Sequence, residues 1–329
     1  MFHRFDFSTF RSADQAEREE FCRQFVASLQ QHGFCKIVNH YVPPADIDQA
    51  FEISRAFFEL PLNEKLKSPH PAADNPHRGY SAFGVEKVST HSNYDAANPM
   101  PLLKDMKESY DIGSESDPLW DNIWPPSGVL DTFRPTFTSF YSACYHAELA
   151  ILEALSLGLG LPAETLANLH KDEINELRLT RYPEVSRSDF AHSTRIAAHT
   201  DFGTITLLFQ DDVGGLQVEA PYGSGKFIDI DSGGRYECIL NVGDCLRKWT
   251  GLCSARHRVH LSEAVQTNGS EMGLTNDVVP ERYSIAYFAK PDRTASLRPL
   301  LGSEADKSND GTVCMTAGEF QNMRIQGTY

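Results

Sequence analysis

The segment "RIAAHTDFGTITLLFQ", residues 195–210, sets His199 and Asp201 two positions apart at the head of a run rich in Thr, Ile and Leu. In a strand, residues i and i+2 project to the same side, so the imidazole and the carboxylate point together while Thr200 points away. This is half of a metal site, or two polar residues that open a strand; the spacing alone leaves both readings standing. A third donor lies in "SARHRVHLS", where His257 and His260 follow Asp201 by 56 and 59 positions. Two imidazoles and one carboxylate on one face leave three octahedral positions open, the ligand set of non-haem Fe(II) oxygenases, although zinc hydrolases use similar donors. In "ERYSIAYF", Arg282 and Ser284 again stand two apart and share a strand face. A guanidinium holds a carboxylate through two parallel charge-assisted hydrogen bonds, and a neighbouring hydroxyl adds another, so the pair suits a diacid.

Such groups need strands to aim them, and the second half of the chain supplies strand patterns. Beyond Leu177 short β-branched segments, "ELRLTRYP", "TITLLFQ", "GGLQVEA", "KFIDI", "YECILNVGD", "RHRVHLS" and "RYSIAYFAK", alternate with Gly, Asp and Pro, the spacing of a sandwich or barrel. The first half is more helical. Phe21, Phe25, Val26 and Leu29 recur at helical spacing between Asp14 and Gln31, with Gly33 as the stop, and Ile47, Ala50, Phe51 and Phe57 do the same between Asp46 and Phe58. The longest helical pattern runs from about Asp131 to Leu157, a spine expected to pack on the sheet. Residues 68–128 are rich in Pro, Gly, Asn and Ser and read as long surface loops around isolated strands. The expected class is α+β with a mainly β core. A helical and strand segment over 1–128 precedes the spine helix and core over 129–329, the two forming one compact unit.

Composition narrows the function. The chain has 329 residues, 41% hydrophobic and 23% charged, which suits a globular protein with one large core. A formal net charge of −15 disfavours phosphate backbones and anionic membranes. Seven scattered cysteines form no C-x-x-C pair, which fits a reducing compartment. No apolar run approaches the length of a membrane span, and "MFHRFDFSTFRSADQ" lacks a signal-peptide core. The expectation is a cytoplasmic protein with a small-molecule partner, neither nucleic acid nor membrane, acting as a monomer or weak homo-oligomer.

The motifs taken together resemble the isopenicillin N synthase-like family of Fe(II)/2-oxoglutarate-dependent dioxygenases. "QHGFCKIVNHYVP", "AFFELPLNEKLK", "RGYSAFGVEKV" and "DMKESYDIG" are similar to its N-terminal segments, and "HTDFGTITLLFQDDVGGLQV", "NVGDCLRKWTG", "HRV" and "RYS" to its catalytic core. The resemblance implies a distorted double-stranded β-helix, or jelly roll, with flanking helices. It implies that His199, Asp201 and His257 hold Fe(II), that Arg282 and Ser284 anchor 2-oxoglutarate and that Tyr182 contacts it. O2 is then the oxidant and ascorbate a candidate reductant. The implied reaction converts 2-oxoglutarate to succinate and CO2, and the oxidant so formed takes a hydrogen atom from a small organic substrate, a secondary metabolite, leading to hydroxylation, desaturation or ring rearrangement. Rival readings are an iron oxidase of the same fold that dispenses with 2-oxoglutarate, a zinc hydrolase and a degenerate binding protein.

The sequence departs from the family at several points. Thr180 stands where Asn is common, Phe227 where Trp is frequent, Ser254-Ala255 where Ser-Thr precedes the distal His, and Tyr41 where Gly is usual. His257 and Arg282 are further apart than usual, which predicts a surface loop over "SEAVQTNGSEMGLTNDVVPE". His260 is read as a pocket-edge or surface residue, His192 as a loop residue, and His40 and His146 as packing or capping groups. Arg178 shares strand parity with Tyr182 and is expected to face the substrate pocket and recognise an acidic or carbonyl oxygen of the substrate, since a buried guanidinium without a partner is costly; the alternative is a surface salt bridge. Phe288, on the strand of Arg282, is expected in the apolar wall.

Overall fold

The computed structural model describes residues 2–71, 77–86, 104–191, 193–261, 278–302 and 314–325. The short strand β1 (Arg4–Asp6) leads to helix α1 (Gln15–His32), then β2 (Phe34–Val38), helices α2 (Pro44–Phe58) and α3 (Leu62–Lys65), and strands β3 (Gly79–Ser81), β4 (Lys104–Asp105) and β5 (Glu108–Gly113). The spine follows as α4 (Phe133–Gly158). Next come β6 (Glu176–Tyr182), β7 (Val185–Ser186), β8 (Ser193–Thr194), β9 (Ile196–His199), β10 (Ile205–Gln210), β11 (Leu216–Glu219), β12 (Phe227–Asp229) and β13 (Cys238–Val242). Helix α5 (Asp244–Thr250), β14 (His257–Val259), β15 (Val278–Val279), β16 (Arg282–Ala289) and helix α6 (Ala317–Ile325) complete the described elements.

Local chemistry sets these boundaries. The Asp14 side chain accepts from the Ala16 and Glu17 amides, satisfying donors that have no partner inside α1. Gly33 ends the helix at φ 67° with its N–H on the Leu29 carbonyl, a left-handed cap that suits glycine. Tyr41 also adopts a left-handed backbone, φ 72°, and Arg11 lies 3.6 Å over its ring.

Eight strands form the larger sheet, in the order β1-β2-β13-β10-β16-β6-β5-β3, and four form the smaller, β12-β11-β14-β9. Alternation sorts the larger sheet's side chains. Leu177 and Leu179 of β6, Leu207 and Phe209 of β10, and Tyr283, Ile285 and Tyr287 of β16 enter one apolar cluster with Phe137, Phe140, Ile151 and Leu155 of α4. Rings interlock there, Phe140 on Phe209 at 5.6 Å and Tyr141 on Tyr287 at 5.4 Å. Each such fully buried side chain contributes about 1.5–3 kcal/mol by leaving water. The opposite face meets the smaller sheet in a second cluster, where Phe34, Tyr182 and Ile239 pack with Leu216, Val218 and Val259. Two facing sheets with helices on the outside make the expected jelly roll.

Residues 68–128 do hold strands, as expected, but β5 is not an isolated one. β5 is buried throughout and pairs with β3 on one side and β6 on the other. Tyr110 and Ile112 face the helices, but Ser109 and Asp111 face inward to polar partners, so the segment lacks the apolar alternation of a strand over a hydrophobic core. His192 and residues 262–277, most of the expected surface loop, lie outside the described residues.

Candidate metal and co-substrate site

His199 closes β9 and His257 opens its neighbour β14, and the two are direct partners in the antiparallel register. Asp201 lies two residues beyond His199. The three offer ligand atoms all within 4.8 Å of one another. Nε2 of each histidine lies 3.7 Å from Asp201 Oδ1, close enough for a pair of donors to share one ion at about 2.0–2.2 Å from each. The remaining ring nitrogens fix the aim. His199 Nδ1 donates to the Ala197 carbonyl at 2.8 Å and His257 Nδ1 to the Ala255 carbonyl at 3.4 Å, which turns both Nε2 atoms inward. Phe34 packs edge-on against His257.

The second oxygen of Asp201 is held separately: Thr206 Oγ1 donates to Oδ2 at 2.6 Å and Asn241 Nδ2 at 2.7 Å. Burial opposes its ionisation, but the neighbouring His257 and His199 and these two hydrogen bonds hold the carboxyl below its usual pKa. The turn beyond it is fixed by close backbone packing. A Cβ on Gly203 would lie 2.3 Å from the Ala289 carbonyl oxygen, and one on Gly243 would lie 2.2 Å from the Gly203 oxygen, so only glycine fits at either place.

Register extends the site along the sheet, because directly paired residues share a face. Thr206 pairs with both Asn241 and Phe288, Leu208 with Ala286, and Gln210 with Ser284. Across β6, Phe288 pairs with Glu176, Ala286 with Arg178, Ser284 with Thr180 and Arg282 with Tyr182. The residues that hold Asp201 and those proposed as the acid anchor therefore line one inward face. Ala286, Phe288, Leu208 and Arg178 are half-buried while their flanking residues are buried, so this face is open near Phe288 and closed at Arg282.

At the closed end Arg282 is fully buried. Its Nη2 donates to Gln210 Oε1 at 2.7 Å and its Nη1 to Ser284 Oγ at 3.3 Å, and its guanidinium lies 4.9 Å over the Tyr182 ring. A second buried guanidinium, Arg195, sits 5.6 Å over that ring and donates to the Pro280 carbonyl. Burial and then the charge of Arg282 push Arg195 down to about 10, which leaves it cationic at neutral pH. Arg282 Nε, Gln210 Nε2 and Arg195 Nε are buried donors without an acceptor. Two buried cations and three orphaned donors suit a dianion such as 2-oxoglutarate, and the imidazole and carboxylate donors suit Fe(II).

Arg178 faces inward as its parity requires, and it has carboxylate partners within the chain. Its Nε and Nη2 donate to the two Asp111 oxygens at 2.6 and 3.1 Å, and Nη1 reaches Glu86 at 3.1 Å. The cause is β5, which sets Asp111 opposite Arg178. Lys107 pairs with the same Glu86 at 2.7 Å, and Ser109 donates to it. Burial raises Asp111 to about 6 against the pull of Arg178. Arg181 points the other way, to Glu108 and Glu281. His260 stays outside the ligand cluster, beside Thr194 and Phe190, and Phe227 takes Arg258 over its ring. The sequence reading missed Thr206, Gln210, Asn241 and Arg195. The first two were within reach, since Thr206, Leu208 and Gln210 alternate on a strand already identified.

Comparison with known proteins agrees over the whole chain. Residues 173–291 match the family profile described as the 2OG-Fe(II) oxygenase superfamily, and residues 4–127 match that described as non-haem dioxygenase in morphine synthesis N-terminal. The 2-oxoglutarate-dependent dioxygenase gloF of Glarea lozoyensis is 39% identical over 98% of both chains. The proline hydroxylase buaE of Petromyces alliaceus is 41% identical over 99% of both. A full-length Neurospora crassa protein, solved in complex with alpha-KG, superposes with a TM-score of 0.83 at 31% identity, covering 98% of this chain and 95% of that one.

Proposed function

Because this chain belongs to the 2OG-Fe(II) oxygenase superfamily, we propose that His199, Asp201 and His257 are its iron ligands and that Arg282, Ser284 and Tyr182 bind the far end of 2-oxoglutarate. The protein is an Fe(II)/2-oxoglutarate-dependent dioxygenase acting on a small organic substrate. When bound, iron and 2-oxoglutarate together activate O2 for oxidation of a C–H bond. The chain's own residues do the placing. The carbonyls of Ala197 and Ala255 turn the two imidazoles, Thr206 and Asn241 hold one carboxylate oxygen so that the other faces the ion, and buried Arg282 neutralises a carboxylate away from water. The observation that carries the reading is the shared inward face, on which the ligand cluster and the orphaned donors around Arg282 lie in one register.

The substrate we propose is a free amino acid of the proline type, a building block of a secondary metabolite, and the reaction hydroxylation. Support comes from the 41% identical relative named a proline hydroxylase and from the half-open face. There half-buried Arg178, already paired with buried Asp111 and Glu86, sets a charged edge beside the apolar wall of Phe288, a mixed lining suited to a small polar guest with a hydrocarbon ring. Seven unpaired cysteines support work in the cytosol, and a site whose residues all come from one chain fits a monomer or weak homo-oligomer; among the described residues no helix is long and apolar enough to cross a membrane. The test is succinate release by the Fe(II)-loaded protein offered L-proline, other amino acids and thymine, with the product weighed. Proline-dependent succinate and a product heavier by one oxygen are expected. Succinate coupled only to a non-amino-acid substrate would overturn the substrate assignment, and O2 uptake without 2-oxoglutarate would favour the oxidase reading.

A further inference from the structure

We infer that Arg324, on the C-terminal helix α6, is a positioning residue for the metal ligands and acts through Asp244. The inference rests on the proposed ligand set. Asp244 is the first residue of α5, and its backbone N–H donates to the Asp201 carbonyl at 2.8 Å. Its side chain gathers the rest of the site: Oδ1 accepts from Ser254 Oγ at 2.8 Å, and Oδ2 from Thr200 Oγ1 at 3.0 Å. Thr200 stands between His199 and Asp201, and Ser254 is three residues before His257. One carboxylate thus ties together the two chain segments that carry all three ligands.

Arg324 completes this hub from a distant part of the chain. Its Nη1 lies 3.0 Å from Asp244 Oδ2, with side-chain exposures of 12% and 10%, so solvent screens the pair little. Its Nη2 donates to the Thr200 carbonyl at 3.4 Å and to Thr200 Oγ1 at 3.3 Å. The guanidinium also lies 4.7 Å over the ring of Phe202, the residue after Asp201. Removing it would leave the Asp244 charge supported by two hydroxyls alone, and an uncompensated buried charge draws in water or moves. Either response loosens the turn from Thr200 to Phe202, and the ligand on each side of Thr200 loses its fixed direction. Partners that orient metal ligands in this way typically change metal affinity by about 10- to 100-fold when removed.

The measurement is Co(II) affinity of the full-length protein, read from visible absorbance, for Arg324→Ala, Arg324→Lys, Asp244→Asn, the Arg324→Ala/Asp244→Asn double variant, Glu319→Ala and His257→Ala. Arg324→Ala is expected to weaken Co(II) by about 10- to 100-fold, and Arg324→Lys, which keeps the charge on Asp244, to recover part of that loss. In the Asp244→Asn background, adding Arg324→Ala should cost little more, because the inferred route from Arg324 to the ligands runs through Asp244. Glu319→Ala removes the acceptor of the Thr316 cap on α6; it should lower the melting temperature and leave Co(II) affinity unchanged, which separates helix stability from ligand positioning. Wild-type Co(II) affinity in Arg324→Ala overturns the inference. If that variant does not fold, wild-type affinity in Arg324→Lys overturns it and a weakened affinity supports it. Wild-type Co(II) binding by His257→Ala would instead refute the ligand set.

Discussion

Arg282→Lys separates charge from geometry at the proposed acid anchor. Arg282 is fully buried, gives one N–H to Gln210 and another to Ser284, and keeps a buried Nε without an acceptor. Lysine would retain the positive charge but present a point donor instead of a planar fork. The expected loss is one charge-assisted hydrogen bond to the incoming carboxylate, about 1.5–3 kcal/mol, which corresponds to roughly a 10- to 150-fold weaker Kd. The assay is calorimetric titration of 2-oxoglutarate into the Mn(II)-loaded protein without O2, run beside pyruvate, which keeps the 2-oxo acid and lacks the second carboxylate. Arg282→Lys should weaken 2-oxoglutarate by that factor and leave pyruvate unchanged. Equal weakening of both would mean that the substitution disturbs the metal end, and an unchanged 2-oxoglutarate affinity would remove Arg282 from the anchor.

Further outcomes follow from the same geometry. His257→Ala should abolish stoichiometric Fe(II) binding while His260→Ala keeps it, measured by metal analysis after desalting. Arg178→Gln should leave 2-oxoglutarate titrations unaltered and weaken the primary substrate or change the product; an unaltered substrate response would confine Arg178 to its ion pairs with Asp111 and Glu86. Glu148, buried in α4 and accepting from Tyr287 and Asn175, is raised by burial from an ordinary value near 4.5 to about 8. Its raised value means that the folded state holds the proton, so its contribution is complete below the unfolded value and is lost as pH rises towards 8, on the order of 3 kcal/mol by pH 7. Glu148→Gln cannot ionise and should flatten the decline in melting temperature between pH 5 and 8; parallel curves for the two proteins would refute this.

What the sequence disclosed followed periodicity. The spacing of Phe21, Phe25 and Leu29 located α1, the motif around His199 located the paired donors, and strand parity placed Arg178 on the same side as Tyr182. Its failures have a shared cause, which is pairing between distant segments. The place of β5 in the main sheet was hidden because Asp111 and Ser109 point inward for the sake of Arg178 and Glu86, and nothing near them in the chain announces those partners. Asp244 reads as the end of the strand pattern "YECILNVGD", and Arg324 lies 80 residues beyond it; only the folded chain brings them together. Asn241 likewise looked like an ordinary strand residue until β13 and β10 set it beside Thr206.

Strand β10 also works as a ruler. Thr206 near one end grips the carboxylate of Asp201, and Gln210 at the other grips the guanidinium of Arg282. The four residue steps from one mark to the other span roughly 13 Å of extended backbone, and both marks must stay on the inward face. An extra residue inserted between them would reverse the parity of one mark and turn either Thr206 or Gln210 towards the spine helix. The gauge between metal end and acid end is therefore quantised: this strand can shift its marks by two residues or by none, so a longer or shorter co-substrate could not be accommodated by gradual adjustment of its length.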